Sequence, residues 1–86
     1  MATIITKSKS ITWKTIEVDD TAVYKWYQEA RFTINNKLVF KFYATVKSDM
    51  IYLIDVTNDI TYKFSNSLVN KSKAYTLAFK LLKDID

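Results

Sequence analysis

The stretch FTINNKLVFKF, residues Phe32–Phe42, decides the fold. It reads as two runs of alternating apolar residues broken by Asn35-Asn36, the pattern of a β-hairpin. A tight turn there would ordinarily use glycine, yet the chain contains neither Gly nor Pro. Asn and Asp tolerate the left-handed backbone region better than other non-glycine residues, so they are the turn formers available. Upstream, the even positions from Ala22 to Ile34 are Ala, Tyr, Trp, Gln, Ala, Phe and Ile. Downstream, Leu38, Phe40, Phe42, Ala44 and Val46 continue the even set.

Directly opposed residues of an antiparallel pair share a face, so loop length decides which residues lie together. A three-residue loop, Asn35-Asn36-Lys37, pairs Ile34 with Leu38, Phe32 with Phe40 and Ala30 with Phe42, and keeps the even residues on one face. The same arithmetic predicts loops at Asp19-Asp20-Thr21, Lys47-Ser48-Asp49 and Thr57-Asn58-Asp59. Ile16 then opposes Tyr24, Phe42 opposes Ile54, and Tyr52 opposes Phe64. In the first strand Ile11 and Trp13 are odd while Ile16 and Val18 are even, which predicts a bulge near Lys14-Thr15. A helix over 20–34 capped by Asp20 is the rival. The strand reading keeps more apolar positions in phase and suits the Tyr, Trp, Phe, Thr and Val content.

After Phe64 the period lengthens. Tyr75, Ala78, Phe79, Leu82 and Ile85 recur at helical spacing, with Ala74, Leu77 and Leu81 widening the stripe. Ser67 or Asn70 can cap the start, and Lys80 and Lys83 suit the last turns. The predicted fold class is α+β: one domain, a five-stranded antiparallel meander over 11–65, and one C-terminal helix over 68–84 on its even face. Residues 1–9 read as an arm or a short extra strand. Trp26, Phe32, Phe40, Phe42, Ile54, Tyr62, Phe64, Phe79 and Leu82 are the expected core. The layout, a strand meander closed by a helix, is similar to that of the dimeric whirly-type single-strand DNA binders, without any motif of theirs.

The odd face is then the one left for function. The predicted register gathers Tyr27, Tyr43, Ile51 and Leu53 there, rimmed by Lys25, Arg31, Lys41, Lys63, Glu29 and Asp55. Contiguous exposed apolar patches tend to mark interfaces. The expected site is therefore Tyr27, Arg31, Lys41, Tyr43, Ile51, Leu53 and Lys63, and the expected partner a protein or a second copy of the chain. Lys-, Asn- and Ile-rich composition is common among small phage and mobile-element genes, which suggests an inhibitor of a host protein. The alternative is single-stranded nucleic acid, with bases stacked on tyrosine and lysines along the phosphates. A net charge of +4 and a pI near 9.3 accommodate either.

Composition also narrows the chemistry. Without His or Cys the commonest general base and the thiolate ligands are missing. Asp19, Asp20 and Asp49 fall at one end of the sheet, but their number and spacing do not support a cation site. No nucleophile–base pair or phosphate-cradling glycine loop is present, so the chain is expected to be no enzyme, with no cofactor, metal or small-molecule substrate. No apolar run approaches a membrane span, and the expected location is the cytoplasm. The sequon Asn70-Lys71-Ser72 is read as a chance match.

Overall fold

The computed structural model describes residues 10–19 and 23–84. Five strands, β1 (Ile11–Ile16), β2 (Tyr24–Phe32), β3 (Leu38–Thr45), β4 (Met50–Asp55) and β5 (Ile60–Ser65), form one antiparallel sheet in the order β1-β2-β3-β4-β5. Helix α1 (Leu68–Lys83) follows and covers one face. The expected α+β meander is what the chain adopts. Residues 24–32 are strand, so the helical rival for that segment is excluded. The expected arm or strand over 1–9 lies outside the described residues.

The turns do without glycine in the anticipated way but with a different length. Phe32 pairs with Lys37 across the four residues Thr33–Asn36: Phe32 N donates to Lys37 O (2.9 Å), and Asn36 N to Phe32 O (2.8 Å). Asp55 pairs with Ile60 across Val56–Asp59. In both loops the last residue is left-handed, Asn36 at φ 61° and Asp59 at φ 56°. Four-residue hairpin loops are commonly built around a type I turn, and a left-handed residue returns the chain to the strand. Asn35 and Asn58 fasten these turns, Asn35 Oδ1 accepting from Lys37 N and Asn58 N donating to Asp55 Oδ1.

Even loops invert parity, so the predicted registers are corrected throughout. Between β2 and β3 the inversion is undone by a bulge at Val39, the extra residue between the pairs Ala30↔Phe40 and Arg31↔Leu38. The even residues Trp26 to Ala30 of β2 and Phe40 to Ala44 of β3 therefore do share the helix face, shifted by two from the expected pairing, whereas Tyr24 and Leu38 oppose the odd residues Thr45 and Arg31. Ile34 falls in the turn and is exposed. Between β3 and β4 nothing undoes the inversion. Phe42 opposes Leu53 rather than Ile54, and Ala44 opposes Ile51. The second even loop restores the phase for β5, where Tyr52 opposes Lys63 and Leu53 opposes Tyr62.

The first strand is also simpler than expected. Its ladder with β2 runs unbroken from Ile11↔Phe32 to Ile16↔Tyr27, with no bulge at Lys14-Thr15. Ile11 and Trp13 meet even residues of β2 and face the helix, whereas Ile16 is on the opposite face.

The core under the helix contains Ala30, Val39, Phe40, Phe42, Ala44, Ile51 and Leu53 from the sheet, and Ala74, Ala78 and Leu82 from α1. The two alanines, four residues apart, let the helix approach the sheet closely. Tyr75 then wedges between Trp13 and Phe42, edge-on to both at centroid distances of 5.1 and 5.0 Å. Phe79, expected in the core, is 59% exposed. It lies about 100° around the helix from Ala78, off the seam that Ala74, Ala78 and Leu82 define. Ser67 is the helix cap, its Oγ accepting from Asn70 N at 3.1 Å, and Lys80 and Lys83 occupy the last turn.

Candidate nucleic-acid interface on the open face

The face of the sheet away from the helix is occupied by tyrosines. Two local irregularities put them there. A second bulge, at Lys25, separates the pairs Tyr24↔Thr45 and Trp26↔Ala44, so Tyr24 shares a face with Tyr27 instead of with Trp26. The even β3–β4 loop turns Tyr52 to the same side, opposite Tyr43. The four rings are in continuous contact: Tyr24 with Tyr27 at 5.2 Å, Tyr24 with Tyr43 at 4.9 Å, Tyr27 with Tyr43 at 6.1 Å, and Tyr43 with Tyr52 at 5.3 Å. Each of the four residues is partly buried and keeps some surface open to solvent. Tyr43 is the hub, touching the other three.

Charged residues surround this cluster. Glu29 stands opposite Lys14 on one side and Lys41 on the other, and Lys63 stands opposite Tyr52. Arg31 donates to Glu29 Oε1 and to the Asn36 carbonyl, both at 3.0 Å. The Tyr27 hydroxyl donates to the other oxygen of Glu29 at 3.1 Å. Glu29 is the one acid among the strand residues that the register assigns to this face, and both its oxygens are engaged. Ile16, Met50 and Ile54 supply apolar margins.

Of the expected site residues, Tyr27, Arg31, Lys41, Tyr43 and Lys63 are on this face. Ile51 and Leu53 are not. Both are 0% exposed in the core beneath α1, because the four-residue loop Val46–Asp49 inverts β4. Asp55, expected on the rim, turns inward for the same reason and is fully buried, with Asn58 N and Nδ2 donating to its carboxyl at 3.2 and 2.8 Å. Arg31 faces Leu38, and Lys41 faces Glu29. Tyr24, Tyr52 and Lys14 are the functional candidates that sequence reasoning missed. The one available signal was the odd tyrosine density of the middle strands.

The Tyr27 and Tyr43 phenols are held in their neutral form. Burial, the hydrogen bond to Glu29 and that carboxylate's charge push Tyr27 up to about 12, with Tyr24 adding and Arg31 opposing. Burial, then Tyr24 and Tyr52, raise Tyr43. A raised folded-state value means that the stabilisation is intact below the ordinary 10.0 and is lost as pH climbs from there through about 12. Tyrosinate absorbance should therefore show a late-titrating step accompanied by alkaline unfolding, and Tyr27→Phe should reduce that step, leaving the part due to Tyr43. A titration finished near the ordinary tyrosine value would contradict the packing of the cluster.

No protein-family model, curated protein or solved structure matches this chain. Among the described residues no group of three or more Asp or Glu is placed to hold a metal ion. No described helix is long and apolar enough to cross a membrane.

Proposed function

We propose that the open face binds single-stranded nucleic acid, as a binding protein without catalysis of its own. The observation that carries this reading is the four-tyrosine cluster on a sheet face whose charged strand residues, among those described, are Lys14, Arg31, Lys41 and Lys63 against one internally satisfied acid. Rings accept bases of any identity because every base has a π-face, and the lysines follow the phosphates. The inversion of β4 takes Ile51, Leu53 and Asp55 off this surface and brings Met50, Tyr52 and Ile54 onto it, so the face loses an acid and gains a ring, and the Lys25 bulge adds Tyr24. That exchange favours a base-stacking surface over the protein-docking patch anticipated from sequence.

A fluorescent single-stranded oligonucleotide titrated across a salt series tests the proposal. Binding should weaken with a slope of about 0.7 per phosphate contacted. Lys41→Glu and Lys63→Glu should each lower affinity and flatten the slope by about one contact. Absence of binding, or binding indifferent to salt, would transfer the face to a protein partner or a second copy of the chain.

A further inference from the structure

Beyond the tyrosines, at the corner of the open face where β1 meets the β2–β3 turn, lies a cleft of about 230 Å³ whose lining comprises Phe32 and the polar residues Thr12, Lys14, Glu29, Arg31, Thr33 and Asn36. We infer that this cleft is a subsite for the terminal phosphate of the strand that stacks on the tyrosines, so that the protein prefers phosphorylated strand ends. The inference rests on the nucleic-acid reading of the face.

Several features select a phosphomonoester. The Arg31 guanidinium is fixed at two points, by Glu29 Oε1 and by the Asn36 carbonyl. Of its five N–H groups these bonds use two, so donors remain on a group already held in place. The carboxylate that holds it accepts from Tyr27 through its other oxygen, which ties the cleft to the aromatic cluster through a single side chain. Lys14 adds a second cation and is exposed. Thr12 and Thr33 hydroxyls lie 3.1 Å apart, so one donates to the other and leaves the second proton free to turn to a ligand. A terminal phosphate offers three acceptor oxygens and more charge than an internal diester, matching this donor set.

Position selects an end. The cleft has β1, an edge strand, on one side and the turn residues Thr33 and Asn36 at its far wall. The left-handed Asn36 fixes that wall by directing its carbonyl to Arg31. A chain leaving the tyrosines along β2 passes Arg31 and meets the turn there.

The test compares one oligonucleotide sequence carrying a 5′-phosphate, a 3′-phosphate or no terminal phosphate, titrated against the full chain. One phosphorylated form should bind at least about tenfold tighter than the unphosphorylated strand, as expected for charge-assisted hydrogen bonds in a fixed fork. The ratio should collapse toward one in Arg31→Lys, which keeps the charge but loses the fork, and should fall in Lys14→Ala. Equal affinity for all three strands in the wild type would overturn the end subsite and leave the stacking face standing. Failure of all three to bind would overturn both. A preference that survives in Arg31→Lys and Lys14→Ala would place the phosphate elsewhere.

Discussion

Leu53→Asp is expected to leave no cooperatively folded protein, whereas Ile54→Asp, one residue along the same strand, should still melt cooperatively. Leu53 is fully buried between Phe42 and Tyr62 in the sheet register, beneath the helix. Emptying such a site costs about 2–5 kcal/mol. Placing a carboxylate there without partners adds a desolvation cost of several kcal/mol more. A domain of this size has only about 5–10 kcal/mol in total. Ile54 faces the open side, next to Lys41 and Thr61. Circular-dichroism melts of the two variants decide between the even and odd loop lengths. The reverse result, with Ile54→Asp unfolded and Leu53→Asp folded, would restore the three-residue loops and dismantle the open face described here.

Tyr43→Ala should weaken oligonucleotide binding more than removal of any other open-face ring. Loss of a stacking ring costs about 1–3 kcal/mol per base, or about five- to 150-fold in affinity. Tyr43 supports Tyr24, Tyr27 and Tyr52 as well as offering its own ring. Tyr43→Phe keeps the ring and should retain most of the affinity. Comparison of the two by fluorescence anisotropy, with melts to confirm that both are folded, separates stacking from hydroxyl chemistry. Undiminished binding by Tyr43→Ala would mean that bases do not lie on this cluster.

Much of the architecture was legible because long alternating runs and a change of period are strong signals. The hairpin at Asn35-Asn36, the use of Asn and Asp for left-handed positions, and the Ser67 cap all follow from local chemistry. The inward set was read correctly from Trp26 to Ala30 and from Phe40 to Ala44 even though the loop was not, since the Val39 bulge offsets the even turn. Strand β4 was misread because both of its faces are apolar, Met50, Tyr52 and Ile54 on one and Ile51 and Leu53 on the other. With no hydropathy contrast, loop length alone decides, and one residue of error reverses the strand. Tyr24 was missed for a similar reason. The Lys25 bulge leaves no trace in composition. Phe79 was misplaced because a helix carrying apolar residues around much of its circumference does not announce its seam, which two small alanines mark.

The inversion of β4 also sets up a conflict within the folding landscape. A slip of one residue would hide Met50, Tyr52 and Ile54 and release the Asp55 carboxyl to water, an arrangement that hydropathy by itself prefers. The native register instead retains a buried acid, and local geometry must hold it there. Asn58 binds both oxygens of Asp55, Ser48 Oγ accepts from Met50 N, and Asp59 adopts its left-handed turn. Natural sequences usually align local and global preferences, and departures from that alignment concentrate where function imposes them. Here the departure brings Tyr52 onto the aromatic face. The middle of this small sheet is locally frustrated, and its conformational uniqueness is delegated to two short polar turns.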